Sequence, residues 1–205
     1  MTDKDSVYDN VYNLHNYNVD IDNREIYIHS YLNGEEEHGI DYRVSNQFIK
    51  NMSLLESLSG DDITIYLNSH GGDWLAGMSM YDKIKASKCD TTIIGHGDVS
   101  STASMILQAG GRRYITKHTW MVIHYGSNSV SGSGNAIKNG AQADTAMYNQ
   151  MIDLYVESIY ESEIYEGRTK KSIKEWLIKK IEKEVDWWLN SEQVVFFGFA
   201  DGIWG

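Results

Sequence analysis

Apolar and polar positions change period twice in the middle of the chain, and each change marks a turn. Ile63-Thr64-Ile65-Tyr66-Leu67 is a β-rich run that ends at Asn68-Ser69-His70-Gly71-Gly72, after which Leu75, Met78, Tyr81 and Ile84 recur at helical spacing. The switch predicts a strand, a glycine turn and a helix. The unit then repeats. Thr91-Thr92-Ile93-Ile94-Gly95 reads as a strand, and Gly97-Asp98-Val99-Ser100-Ser101 turns into a helix of small residues from Thr102 to Ala109. Repeated βα units predict an α/β domain on a largely parallel sheet, whose ligand sites sit where strands give way to helices.

Around this centre, a short strand is predicted at Glu25 to His29, followed by the turn-prone Asn33-Gly34 and an acidic loop, Glu35-Glu36-Glu37. Residues 44, 48, 49, 52 and 55 carry a helix over Tyr42 to Ser57, and two further strands are expected at Arg113 to Thr116 and Trp120 to His124. A Gly/Ser/Asn-rich run from Gly126 to Gly140 leads into a long helix over about Ala136 to Glu161. A second helix, Lys170 to Lys183, mixes Lys with Glu175 and Glu182 around Ile173, Trp176, Leu177 and Ile181, which predicts a solvated face of mixed charge. The tail is expected to run through Asp186 to Ser191 into a short helix around Glu192 to Phe197. Residues 1–24, polar and rich in Asn, Asp and Tyr, predict a weakly structured arm before a single domain over 25–205.

Composition narrows the function classes. With 205 residues, 41% hydrophobic, the chain can bury a real core, and its formal charge of −11 without a basic, aromatic-laced stripe argues against a nucleic-acid partner. No apolar run is long enough to span a membrane, and neither a secretory leader nor a disulfide is expected from the first residues and the lone Cys89, so a cytoplasmic protein is predicted. The seven histidines fall in no metal-binding spacing, so no metal and no cofactor are predicted. Gly71-Gly72 before a helix suits an anion, yet no phosphate-binding motif accompanies it.

Nucleophilic catalysis has more support. Ser100, Ser101 and Ser104 cluster at the second strand-to-helix turn, where a hydroxyl can be presented while the helix start favours negative charge. A serine remains a weak nucleophile until an imidazole accepts its proton and a carboxylate orients that imidazole. His124, closing a later strand, can supply the base. On spacing alone a serine at a helix start is more often an N-cap than a nucleophile.

Four blocks carry a resemblance: Asn68-Ser69-His70-Gly71-Gly72; Gly97 to Met105 with Ala109-Gly110; Val122-Ile123-His124; and Asp186 with Gly198-Phe199-Ala200-Asp201-Gly202-Ile203. In this order and spacing the chain resembles the Clp protease proteolytic subunit (ClpP) family over residues 25 to 203. In that family Ala-Gly follows the nucleophile by eight residues, which selects Ser101, and the triad aspartate precedes the closing aspartate by fifteen, which selects Asp186. The resemblance implies the ClpP/crotonase-type fold with a protruding helix-strand handle at about 125–162. It also implies a Ser101, His124, Asp186 triad and an oxyanion hole of the Gly71 and Thr102 backbone N–H groups.

The chain departs from the family pattern at His70, where proline is usual, at Thr102, where methionine is usual, and at Tyr125-Gly126, where Gln-Pro is common. The implied activity is that of a serine endopeptidase, cutting unfolded polypeptides to short peptides inside heptameric rings stacked as a tetradecamer and fed by an AAA+ unfoldase. The arm would line the axial pore. The alternatives are a ClpP-like phage head-maturation protease that needs no ATPase, suggested by the absence of proline and the unusual amino terminus, a non-catalytic ring subunit, and a crotonase-like acyl-CoA enzyme.

Overall fold

The computed structural model describes residues 3–29, 39–126, 129–162 and 165–205, with side chains from Tyr8 onward. The expected turn at Asn33-Gly34 and the acidic loop at Glu35 to Glu37 lie outside the described residues. In chain order the elements are α1 (Asp3–Tyr17), β1 (Val19–Asp20), β2 (Glu25–His29), α2 (Tyr42–Leu58), β3 (Ile63–Ser69), α3 (Trp74–Lys85), β4 (Thr91–Ser100), α4 (Thr102–Leu107), β5 (Arg112–Thr116), β6 (Trp120–His124), α5 (Gly134–Glu161), α6 (Lys170–Glu184), β7 (Asp186–Asn190), α7 (Ser191–Phe196) and β8 (Gly202–Trp204).

These strands form one sheet in the order β1-β2-β3-β4-β5-β8, with β6 and β7 branching from β4. The βα units make β2, β3, β4, β5 and β8 mutually parallel, as the sequence pattern requires. The branch arises inside β4. Its first half, Thr92 to Gly95, pairs with β5, whereas Asp98 to Ser100 pair with β6. Between them Gly97 takes φ +72°, and a Cβ there would meet Asn68 Oδ1 at 2.9 Å, while that same oxygen accepts the Asp98 N–H at 3.1 Å. Glycine thus lets β4 change partners and carries Ser100 out over β6 and β7.

Helices bury the alternate positions Ile26 and Ile28 of β2 and Ile63, Ile65 and Leu67 of β3, while Tyr27 and Tyr66 on the other face stay half-buried. Val44, Phe48, Met52 and Leu55 are the buried stripe of α2, begun by Asp41, whose carboxylate accepts the Arg43 and Val44 N–H groups. Every residue of α4 is buried. Only the second half of α5 joins the core, through Met151, Ile152, Tyr155, Val156 and Ile159, against Ile173, Leu177 and Ile181 of α6. Its first half is mostly exposed, and the described residues 129–133 before it form no strand. Lysines of α6 answer acids of α5, with Lys174 bonded to Asp153 at 2.5 Å and Lys170 to Glu157.

One expectation requires correction, and one element is added. Residues 3–17, read as a weakly structured arm, form α1. Tertiary polar contacts hold that region: Asn10 Nδ2 donates to Asp20 Oδ1 at 3.0 Å, and Asn51 Nδ2 caps the Tyr17 carbonyl at 2.6 Å. Asp186 to Asn190, to which no element is assigned from the sequence, is β7, with Trp187 and Leu189 buried and Asp186 and Trp188 exposed. Period-two burial is real there but is hidden in the sequence by two adjacent tryptophans.

Candidate active site

Three elements end at one point. β4 delivers Ser101 through a tight elbow with φ 53° and ψ −126°, a conformation a non-glycine residue keeps only when its surroundings dictate it. Those surroundings include the Ser101 N–H, which donates to the Val122 carbonyl of β6 at 2.8 Å. His124 closes β6, Asp186 opens β7, and the two face each other in the antiparallel ladder.

Side chains complete the arrangement. His124 Nδ1 lies 2.9 Å from Asp186 Oδ1, and His124 Nε2 lies 2.9 Å from Ser101 Oγ. An ionised carboxylate only accepts, so Nδ1 carries the hydrogen and a neutral ring leaves the Nε2 lone pair to accept from the serine hydroxyl. Serine, imidazole and carboxylate expected from sequence are therefore brought together. The other two serines are engaged elsewhere: Ser100 Oγ donates to Asp98, and Ser104 Oγ to the Ser101 carbonyl at 2.5 Å. Asp186 remains open, its side chain 56% exposed against 31% for His124.

An open cavity of about 970 Å³ lies before this hydroxyl, lined among others by Gly72, Ser101, Thr102, His124, Tyr148 and Met151. The glycine turn forms one wall, and here the N–H of Gly71, the donor expected from the resemblance, is already engaged. The Gly71 N–H donates back to Ser69 Oγ at 3.1 Å, whereas Gly72 lines the cavity beside Thr102. Gly72 sits at φ +155°, where a Cβ would meet the Ile40 carbonyl oxygen at 2.2 Å. Two adjacent glycines look alike in a sequence, and only the turn decides which peptide faces the cleft. The Thr102 hydroxyl ties α4 to this turn by donating to the Gly72 carbonyl at 2.9 Å.

On the far wall, Tyr125 and Tyr148 bond through their hydroxyls, with ring centroids 3.8 Å apart. Burial, first of all, raises both phenols above the ordinary tyrosine range. This link from the residue after His124 to α5 was not read from the sequence, because contact between positions 125 and 148 depends on how the handle returns.

Among the described residues, no helix is long and apolar enough to cross a membrane. The profile of the Clp protease family matches residues 22–205. The chain is similar to ATP-dependent Clp protease proteolytic subunit 1 of Corynebacterium jeikeium, with 28% identity over 80% of this chain and 82% of that one. It is also similar to proteolytic subunit 2 of Thermobifida fusca, 28% identical over 80% of this chain and 76% of the relative. Among solved structures, a ClpP1 mutant from Listeria monocytogenes superposes with a TM-score of 0.70 at 26% identity, covering 90% of this chain and 92% of that one.

Proposed function

The chain belongs to the Clp protease family, and on that premise we propose that it is a serine endopeptidase in which Ser101, His124 and Asp186 act as the catalytic triad. The observation that carries the reading is the pair of 2.9 Å contacts running from Ser101 Oγ through His124 to Asp186. Ser101 Oγ attacks the peptide carbonyl carbon as its proton passes to His124 Nε2. Asp186 stabilises the imidazolium and holds its tautomer. The negative oxygen of the tetrahedral intermediate takes hydrogen bonds from the backbone N–H groups of Thr102 and Gly72. On collapse the C–N bond breaks, His124 returns the proton to the departing amine, and water, deprotonated by the same imidazole, hydrolyses the acyl-serine.

Substrates are unfolded polypeptides, released as short peptides. The relatives' ATP-dependence supports work beside an AAA+ ATPase, because a folded substrate must lose about 5–15 kcal/mol of stability before its chain can thread. We further infer heptameric rings stacked in pairs, which native mass spectrometry would register as multiples of seven subunits. A fluorophosphonate probe should label the wild-type chain and not Ser101→Ala, while Ser100→Ala still labels. Labelling that survived Ser101→Ala would overturn the assignment.

A further inference from the structure

Behind the elbow, away from the cavity, two buried hydroxyls form a chain. Tyr155, 1% exposed and carried by α5, has its OH 2.6 Å from Ser104 Oγ, and Ser104, fully buried in α4, has that oxygen 2.5 Å from the Ser101 carbonyl oxygen. The carbonyl can only accept, so the single Ser104 hydroxyl hydrogen points to Ser101. Tyr155 must then donate to Ser104. Burial raises the Tyr155 phenol well above its ordinary range, so the donor keeps its proton. The Ser101 carbonyl also accepts the Ser104 N–H at 2.9 Å, which leaves its direction doubly fixed.

That direction matters because a peptide unit is planar and trans, so the C=O of Ser101 and the N–H of Thr102 lie in one rigid plane and point in opposite directions. Turning the carbonyl turns the N–H by the same angle. We propose that Tyr155 and Ser104 are positioning residues, a hydroxyl relay from the handle helix that fixes the Ser101–Thr102 peptide plane and so aims the Thr102 N–H at the oxyanion. This rests on the reading of Thr102 as an oxyanion donor. Packing alone does not explain the pair. Phe and Ala would fill nearly the same space without polar groups, and replacing both partners of a buried hydrogen bond by apolar groups of like shape is nearly neutral for stability. Neither residue lines the cavity.

The test uses the full-length protein with Tyr155→Phe, Ser104→Ala, the double variant and Ser101→Ala. Melting temperature is followed together with KM and kcat on a fluorogenic peptide and Ki for a peptide aldehyde, whose hemiacetal oxygen occupies the oxyanion position. Loss of a whole donor costs about 10²–10³ in kcat, so a misaimed one should cost about tenfold. Tyr155→Phe is expected to lower kcat by about tenfold with KM within about twofold, and the aldehyde Ki should rise in step with the fall in kcat/KM. The double variant should fall no further than Ser104→Ala, because one relay is broken in both. If Tyr155→Phe melts normally and keeps kcat within about twofold while Ser101→Ala is dead, the relay is overturned and the triad stands. If Ser101→Ala retains activity, the triad reading falls and the relay with it.

Discussion

A methyl group on Gly77 would lie 1.9 Å from Thr102 Cγ2, so α3 and α4 approach each other only because position 77 has no side chain. Thr102 cannot turn aside freely, since its Oγ1 is bonded to the Gly72 carbonyl at 2.9 Å. Alanine in a helix interior ordinarily stabilises by about 1 kcal/mol over glycine. Here Gly77→Ala should instead push α4 off the glycine turn and lower peptidase activity at least tenfold. Thr102→Ser removes the obstructing methyl and keeps the hydroxyl. The pair Gly77→Ala with Thr102→Ser should therefore recover most of the rate in a fluorogenic peptide assay, and a double variant as slow as Gly77→Ala would refute the steric account.

Asp186→Asn preserves shape but offers His124 Nδ1 an amide that can donate as well as accept, which frees the ring to adopt the wrong tautomer. Turnover should fall by about three to four orders of magnitude with the melting temperature unchanged. Steady-state kinetics beside a thermal melt checks both parts, and a loss below tenfold would mean that another carboxylate serves.

Asp20 makes a prediction about pH. Burial alone would raise its carboxyl, but hydrogen bonds from the Asn23 N–H and from the Asn10 and Asn23 side chains outweigh that and hold it below the ordinary aspartate value of 3.8. A lowered folded-state value means stability that is fully present above the unfolded value and lost as pH falls through the folded one. Asp20→Asn should cost about 1–2 kcal/mol near neutrality, where the carboxylate accepts these bonds, and the gap from wild type should close below about pH 4. Melts between pH 3 and pH 7 measure it. A gap that widened on acidification would reverse the sign and refute the argument.

Ser100 and Ser101 are adjacent, yet only Ser101 reaches the imidazole. Ser100→Ala should thus keep activity within about threefold, because its hydroxyl serves Asp98 and not the cleft. A collapse of kcat in that variant would show that the Ser100–Asp98 contact shapes the elbow.

Legibility in the sequence followed the physics of each element. The stripe at Val44, Phe48, Met52 and Leu55 announces α2, because burial on one face leaves a 3.6-residue rhythm. The two βα turns were plain for the same reason; the second located the cluster of Ser100, Ser101 and Ser104, from which the family spacing selects Ser101, and His124 was read at the end of the strand that is β6. β7 escaped because Trp187 points inward and Trp188 outward, one buried and one 60% exposed, yet both count as apolar. Helix α1 escaped because its contacts to Asp20 and Asn51 are long-range and polar, leaving no trace in local periodicity. The choice between Gly71 and Gly72, like the Tyr155–Ser104 link, depends on peptide orientation and tertiary approach, which spacing does not encode.

The ladder between β6 and β7 sets His124 directly opposite Asp186 at the mouth of a hairpin-like pair, and the described residues of the intervening chain, between 125 and 185, form α5 and α6 and add no strand to the sheet. Alignment of imidazole and carboxylate is thereby a property of backbone pairing and owes nothing to the length of the excursion. Insertions, deletions or exchanges in the exposed first half of α5 can reshape what the cleft admits while the proton path stays in register. A slip of a single residue in the ladder would turn the Asp186 side chain to the opposite face and disconnect it. Natural variation in such a molecule is accordingly freest in the exposed first half of α5, and confined in the buried stripes of α5 and α6 and at the two ends of the detour.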